Sequence, residues 1–510
     1  MRRRQINFLL RAAIFSPIVM SFDIAAAQVT GGGSLYPTDT VGPVQLAAAA
    51  SDGSIKSAPN SSVVTIPAAS SAELAKALGP AAYLLNRTGV SDEFSSTIRQ
   101  AVGRHPAYHS QVSALDETRA ERRRARSALY PQLSTQFRGD YSLARDFDPN
   151  TDNAVEALRP REQFTAGISA SQLVFDGGAT FQRIKSARAR SAEFKNAIST
   201  RINDLSLASL AAYHDYATHQ ALVALGDAII LRHVKILDDV KERERLGAGS
   251  KADVTRAVAR LAAAQARVAE IRESKQLAEI RYLEFFDEEP GILHRPSFDA
   301  FAVNTRGQAV SEALSRSPDI AVATARADAS KADYRAAKGA RLPEVRVSVD
   351  AVKYDVFDSG NDFDVRAGVN LNYNIFGGGA RAADIAQAAS RARQSQFGQE
   401  QIRQEVARDA AIAFERAQGA AARLEALETA VVAHAETREL VLERYRVARG
   451  DLIDVLQAEN DYFEAGVSYL TGLANQDMAV YGVMEHTGDL LRFFSPQDEF
   501  ANALNGAGNG

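Results

Sequence analysis

The chain contains no cysteine and no tryptophan among its 510 residues. Without cysteine there can be no disulfide framework, no thiolate metal site, no cysteine nucleophile and no lipid attached to an N-terminal cysteine. The formal net charge is −4, which argues against a broad basic surface for nucleic acid. Beyond the N-terminus, no run approaches the roughly 20 consecutive apolar residues that a transmembrane helix needs. A membrane location, if the protein has one, must therefore come from β-strands.

Residues that usually carry chemistry form no recognisable constellation in this sequence. His214 and His219 lie five positions apart and do not share a helical face. Gly249-Ser250-Lys251 lacks the glycine spacing and the preceding strand of a phosphate-binding loop. We therefore predict that the protein is not an enzyme, and we predict no catalytic residue, no cofactor and no metal site.

The N-terminal region has the composition of an exported protein. Arg2, Arg3 and Arg4 precede a mostly apolar stretch that ends in Ala25-Ala26-Ala27, so residues 1–27 are predicted to be a cleaved signal peptide. A membrane anchor is the alternative, although the apolar core is short and contains a charge. Residues 28–91 are rich in Ala, Ser, Gly and Pro. We predict that they form a flexible extension, with room for a short helix near 72–78.

An internal repeat organises the rest of the chain. Residues 242–257 and 443–458 align without a gap and share seven of their sixteen residues, where average composition would give roughly one identity. The identical pairs are Glu242/Glu443, Arg243/Arg444, Arg245/Arg446, Gly249/Gly450, Asp253/Asp454, Val254/Val455 and Ala257/Ala458. Such self-similarity indicates that one structural unit occurs twice.

Each repeat is predicted to run helix, strand, loop, strand, long helix, turn and half-length helix. In repeat 1 (92–304) the strands fall at about 132–142 and 163–175, the long helix at about 178–247 and the return helix at about 253–286. In repeat 2 (305–492) the same elements fall at about 344–354, 363–376, 379–448 and 454–490, and a polar tail (493–510) follows. At each turn, Gly249 or Gly450 can take the left-handed conformation and Asp253 or Asp454 can cap the next helix.

The strands alternate between apolar and polar residues. In the clearest of them one face carries Val365, Ala367, Val369, Leu371, Tyr373 and Ile375, and the other carries Arg366, Gly368, Asn370, Asn372 and Asn374. This pattern suits a barrel strand with lipid outside and water inside. A soluble antiparallel sheet with one solvated face is the alternative.

The number of strands predicts association of several chains. An open sheet edge in lipid leaves unpaired backbone groups, each costing several kcal/mol, and four strands cannot close a barrel. Two chains would give eight strands, whose interior is filled by side chains, whereas three give twelve, wide enough for a pore. We therefore predict an α+β membrane protein, a homotrimer whose 12-stranded β-barrel (four strands per chain) continues into a long α-helical barrel.

The sequence resembles the TolC family of outer-membrane efflux and secretion channels from about 93 to 490. The resemblance is carried by Leu342-Pro343 before a strand, by Asn374-Ile375-Phe376-Gly377-Gly378-Gly379 after one, and by Tyr445 through Ala458. It implies a trimer in the outer membrane with a periplasmic helical tunnel closed at its tip. It also implies two partners, an inner-membrane transporter and a periplasmic adaptor.

The resemblance implies a gate at the second turn. Asp454 matches the first acidic position of the family's pore constriction, and Gln457 stands where some members have a second Asp. Tyr445 matches a position that links neighbouring tip helices, Asp253 matches its partner region, and Arg449 lies beside the position of the family's linking Arg, which is Gly450 here. The turns at Gly249 and Gly450 would contact the adaptor. Alternatively, Asp454 serves only as a helix cap, worth roughly 1 kcal/mol.

The predicted function is that of an exit duct in the outer membrane for a tripartite export system. Its cargo would be either protein, as in type I secretion, or small molecules, as in drug efflux. Because it has no N-terminal Cys for lipid attachment, the sequence is more similar to the branch of the family that contains type I secretion channels. The alternative is a periplasmic coiled-coil adaptor or spacer with a small hairpin domain.

Overall fold

The chain divides into two units, Met1–Thr65 and Ile66–Gly510, and only the second lies in the described part of the structure. The computed structural model describes residues 70–496 except 86, 90, 91, 145, 147–159, 298–302, 358, 359 and 361. The predicted signal peptide and almost all of the predicted tail lie outside the described residues.

The described elements follow one another in the same order in both repeats. The α-helices are α1 Ser71–Leu78, α2 Asp92–Arg104, α3 Pro106–Ser127, α4 Ala179–Arg245, α5 Lys251–Phe286, α6 Arg306–Arg316, α7 Pro318–Gly339, α8 Ala380–Arg446, α9 Leu452–Thr487 and α10 Asp489–Phe494. A 3-10 helix (Gly79–Leu85) directly follows α1. The strands are β1 Arg87–Gly89, β2 Gln132–Tyr141, β3 Glu162–Phe175, β4 Arg295–Ser297, β5 Glu344–Lys353 and β6 Phe363–Asn372.

Four strands form one antiparallel sheet in the order β2-β3-β5-β6. The apolar side chains of β6 are exposed, with Val369 at 72%. The strand predicted to extend to about 376 ends at Asn372, because its neighbour β5 begins at Glu344, which pairs with Asn372. Pro343 precedes Glu344 and has no N–H to extend the ladder. The sheet therefore ends at the same level in both strands.

Two helices of 67 residues, α4 and α8, leave the sheet. At 1.5 Å per residue each is roughly 100 Å long. Each begins directly after a glycine in the left-handed conformation, Gly178 (φ 79°) or Gly379 (φ 86°). The return helices α5 and α9 have 36 residues each, so each repeat presents a hairpin with one arm about half as long as the other.

The largest hydrophobic cluster of the described residues lies where the short helices meet the long ones, and it contains several aromatic residues. Tyr213, Tyr282, Phe286 and Tyr481 pack there with α2, α3 and α10. Beside the cluster, β1 and β4 form a two-stranded parallel sheet. Buried Arg295 of β4 donates to both carboxylate oxygens of Asp477, at 2.5 and 2.6 Å. This bidentate pair fixes β4 against α9.

The N-terminal extension corrects one prediction. The sequence predicts a flexible extension over residues 28–91 with room for a short helix near 72–78. That helix is present as α1, but the ordered structure also continues through the 3-10 helix to residue 85. Ser70 and Glu73 form a capping box at the start of α1, and the four side chains Leu74, Leu78, Ala81 and Leu84 are buried against α4, α8 and α9. The segment is ordered because these apolar positions find a core that is distant in sequence. Residues 28–69 lie outside the described part.

None of the helices in the described residues combines the length and the hydropathy needed to cross a lipid bilayer.

Candidate functional site: the paired hairpin tips

The two hairpin tips, residues 242–257 and 443–458, end their long helices in the same way. Ala248 donates its N–H to Arg243 O (2.8 Å) and Gly247 to Glu244 O (2.9 Å), and 201 residues later Arg449 and Ala448 repeat both bonds. This is the Schellman arrangement, which satisfies the last carbonyls of a helix and needs one left-handed residue. That residue is Gly247 (φ 74°) in the first tip and Ala448 (φ 56°) in the second.

Gly249 and Gly450 therefore have a different role from the one predicted. Their backbone is not left-handed. A Cβ at Gly249 would lie 3.1 Å from the backbone nitrogen of Glu244, and one at Gly450 would lie 3.3 Å from that of Tyr445. Glycine suits both positions because the chain passes close to the end of the long helix, where a Cβ would be in tight contact with the backbone.

The caps of the return helices also differ from the prediction. The N-cap of α5 is Ser250, and Asp253 is its capping-box partner three residues on. The N-cap position of α9 is Asp451, and Asp454 lies in the first turn of the helix. Asp454 is therefore not an N-cap, so its exposed carboxylate is free of that role, although its position still suits the positive end of the helix dipole.

A small hydrophobic cluster joins the two tips. Ile236 and Val240 of α4 pack with Leu442 of α8 and with Leu452, Val455 and Leu456 of α9, while Val254, Val441 and Tyr445 lie alongside. Because all four long and return helices contribute, the two tips form one packed unit within a chain.

Arg243 connects the tips directly. Its guanidinium lies 4.2 Å from the centre of the Tyr445 ring, and its Nη2 donates to Tyr445 O (3.0 Å) and Arg446 O (3.4 Å). Burial raises the pKa of Tyr445 and Asp253 adds to the effect, whereas Arg243 opposes it, so the phenol is neutral at physiological pH. The structure thus places Asp253 within electrostatic range of Tyr445, whereas Arg243 contacts Tyr445 directly. Arg449 is exposed, and its side chain makes no ion pair with any described residue.

The predicted constriction residues line one cavity. Asp454, Gln457 and Gly450 border a space of about 340 Å³ together with His434, Thr437, Val441, Arg444, Ala458 and Asp461. Asp454, Gln457 and Asp461 lie on one face of α9, at spacings of three and four residues, and Gln457 Nε2 donates to Asp461 Oδ1 at 2.7 Å. Within one chain, two carboxylates and one amide therefore face the same space.

The sequence did not reveal a buried ionic network farther from the turn. Glu459 of α9 is fully buried, and its Oε1 accepts from Arg232 Nε of α4 at 2.9 Å. Arg232 also pairs with Glu439 of α8 at 3.0 Å, and Arg438 Nη1 lies 3.9 Å from Glu459 Oε2. No periodic signal marks these residues, because Arg and Glu are common on exposed helix faces.

Burial raises the pKa of Glu459, while Arg232 and Arg438 act in the opposite direction. A buried ion pair contributes little net stability compared with apolar packing, but loss of one partner costs about 3–5 kcal/mol because the other charge stays buried. The network therefore fixes the positions of α4, α8 and α9 relative to one another.

Among the residues that the structure describes, no group of three or more His, Asp or Glu is placed to hold a metal ion. The side chains that the structure brings together at the tips thus offer charge, hydrogen bonds and a narrow space.

Residues 309–489 match the family model described as "Outer membrane efflux protein". Over 368 residues the chain is 26% identical to the outer membrane efflux protein BepC of Brucella suis biovar 1 (strain 1330), covering 71% of this chain and 78% of that protein.

Solved structures share the fold. A membrane protein from Pseudomonas aeruginosa superposes with a TM-score of 0.70 at 19% identity, covering 78% of this chain and 90% of that one. The outer membrane protein VceC of Vibrio cholerae superposes with a TM-score of 0.67 at 18% identity, covering 78% and 96%.

Proposed function

From its outer membrane efflux protein domain at residues 309–489 and its TolC-like fold, we propose that this outer-membrane protein is the exit duct of a tripartite export system. The family resemblance and the outer-membrane location predicted from the sequence are confirmed. The observation that carries the proposal is the pairing of an exposed apolar sheet with two helices of 67 residues. Such a chain joins a membrane surface to a site roughly 100 Å away.

The duct is a homotrimer with a 12-stranded barrel. Strands β2, β5 and β6 have ten residues each, within the range of about 9–11 that a tilted membrane strand needs. In the described residues β2 and β6 are the edges of the sheet. Pairing β6 of one chain with β2 of the next satisfies both edges, and three chains close the ring.

The gate is the face of α9 that carries Asp454 and Gln457. Threefold symmetry would bring three Asp454 carboxylates towards one axis. At about 4 Å two such charges repel by about 1 kcal/mol in water and about 4 kcal/mol at an effective dielectric constant of about 20. Cations relieve this repulsion, so the pore is cation-selective and is blocked by divalent ions.

The tips are the docking site for a periplasmic adaptor, which connects the duct to an inner-membrane transporter. The last residue of each long-helix turn is apolar and exposed, Leu246 at 64% and Val447 at 60%. They occupy equivalent repeat positions next to the turns at Gly249 and Gly450. Three chains would thus present six apolar contacts on one ring.

We propose that the cargo is small molecules rather than protein, because the family model and the Brucella relative are both described as outer membrane efflux proteins.

Fractionation combined with an export assay tests this function. We expect the protein in the outer-membrane fraction, a detergent-solubilised mass of three chains, and accumulation of a fluorescent cationic dye in cells that lack the gene. The spacer alternative makes a different prediction, since a spacer stays in the periplasmic extract without detergent, and its loss leaves dye accumulation unchanged. A secretion duct would release a protein substrate and leave dye levels unaltered.

A further inference from the structure

The ordered N-terminal segment, residues 70–85, lies against the helices that carry the proposed gate. Leu74, Leu78 and Leu84 are buried among α4, α8 and α9, in contact with a cluster that includes Leu225 of the first hairpin and Leu424 of the second. Tyr83 of the same segment bonds Gln220 of α4. One short segment therefore contacts both hairpins.

Tyr462 of α9 receives this segment. Its hydroxyl donates to the backbone oxygen of Ala77 at 2.6 Å, across 385 positions of sequence. The Arg438 guanidinium lies 3.8 Å from the centre of the same ring. The ring is buried, so the bond to Ala77 and the contact with Arg438 hold it from two sides.

Arg438 connects Tyr462 to the ionic network. It lies beside Glu459, which is paired with Arg232 of the first hairpin. Glu459 has 0% exposure and Oε2 lacks a hydrogen-bond partner among the described residues. The network consequently joins α4, α8, α9 and the N-terminal segment at one level.

This level is close to the gate residues on the same helix. Asp454 and Glu459 are five residues apart, which on an α-helix is roughly 140° of rotation and 7.5 Å of rise. The network therefore lies on the side of α9 opposite the gate face. A rigid helix held on one side keeps the side chains of the other side in place.

We infer that residues 70–85 are an N-terminal clamp that positions the gate: by holding Tyr462 and the Arg438–Glu459–Arg232 network, the clamp keeps α9 fixed and with it Asp454 and Gln457. This inference rests on the proposed function, and it gives a role to a segment that the duct architecture does not require. Release of the clamp frees α9 to move away from the pore axis.

The test uses two variants that loosen the clamp by different routes. Tyr462→Phe removes only the hydroxyl that bonds Ala77 O, and Leu78→Ala shortens a fully buried side chain of α1. The matched control is Tyr481→Phe, which removes a buried hydroxyl from the same helix where it bonds His214, away from the clamp.

Two readouts are measured on full-length trimers in lipid. Because the chain has no Cys, a spin label at Ile453→Cys, an exposed position (53%), reports the distances between the three tips. We expect both clamp variants to widen these distances and to raise single-channel conductance at least twofold, with Tyr481→Phe equal to the parent. If both variants keep the parent's distances and conductance, the clamp is wrong.

Failure of the clamp and failure of the duct can be told apart. A parent protein that inserts as a trimer and conducts in uniform steps upholds the duct whatever the variants do. A parent that does not conduct contradicts the duct, and the label distances still decide whether residues 70–85 position the tips.

Discussion

The Arg243 guanidinium lies 4.2 Å from the ring centre of Tyr445 and joins the end of one long helix to the end of the other. Arg243 and Arg444 are equivalent repeat positions. Arg243 reaches the neighbouring hairpin and donates to Tyr445 O and Arg446 O, whereas Arg444 makes no corresponding bond to a described residue of the first hairpin. The repeat is therefore asymmetric at its most similar stretch. The end of the second long helix has its own cap and receives two additional hydrogen bonds from the first tip.

Arg243→Gln should loosen the second tip. The variant loses a cation–π contact and two charge-assisted hydrogen bonds, which together are worth about 1–2 kcal/mol, so amides around Val447 should exchange about 5–30 times faster. Native-state hydrogen exchange measures this. Arg245→Gln is the control, because Arg245 is exposed and pairs only locally with Glu242. Equal exchange in both variants would show that the contact carries no stability.

Ala448→Gly should strengthen the same turn. Ala448 has a left-handed backbone, which costs an L-residue about 1–2 kcal/mol. Glycine relieves this strain, but its greater conformational freedom in the unfolded chain offsets about half of the stabilisation. Exchange of the Arg449 amide should slow by about two- to fivefold.

The repeat supplies the reverse experiment at Gly247, the equivalent left-handed residue, where a Cβ would meet nothing within 4 Å. Gly247→Ala should speed exchange of the Ala248 amide by a similar factor. The strain account fails if both substitutions shift exchange in the same direction.

Asp454→Asn should make the pore less cation-selective and less sensitive to divalent block. In the proposed trimer, the substitution removes three carboxylates from the proposed gate. Gln457→Asp adds three and should act in the opposite direction. Reversal potentials in a salt gradient measure both effects. The control is Asp227→Asn, which removes an exposed carboxylate of α4 that pairs with Arg272 outside both tips. Unchanged selectivity in Asp454→Asn would remove Asp454 from the gate.

Ionisation of Glu485 should lower the stability of the folded protein as the pH rises through about 7. Burial, with Asp204 and Asp319 nearby, raises the pKa of Glu485 to about 7. A carboxyl with a raised pKa stabilises the fold in its protonated form. Its contribution is complete below its ordinary pKa and is lost as the pH rises through about 7.

Thermal unfolding of the parent between pH 5 and pH 8 should therefore show a falling midpoint, and Glu485→Gln should raise the midpoint at pH 8 by a few degrees while flattening the dependence. Glu288→Gln, at an exposed position, controls for the loss of one charge. A variant whose midpoint follows the parent at every pH would show that Glu485 does not titrate in this range.

The parts of the fold that could be predicted are those with a local period. Alternation along Val365 to Leu371 predicted a strand, and a long stretch without Pro predicted the helix that ends near Arg446. The repeat located both tips. Contacts across the repeat have no such signal: Arg243 over Tyr445, Glu459 beside Arg232, and Leu78 against α9 all depend on how distant helices pack.

The turn residues show the same limit in detail. The sequence predicts the left-handed conformation at Gly249 and Gly450, but in the structure Gly247 and Ala448 adopt it. The left-handed conformation of Ala448 cannot be recognised from the sequence, because alanine rarely adopts it. The position of Gly450 is equally hidden, because its close approach to Tyr445 N depends on how the end of the helix folds. Asp451 likewise occupies the N-cap position that the sequence predicts for Asp454.

Ion conductance across a planar lipid bilayer, with protein extracted from the outer membrane as a trimer, tests the duct most directly. The account predicts discrete steps of one size with cation selectivity. Trimers that insert without conducting, or a chain recovered as a monomer without detergent, would contradict it.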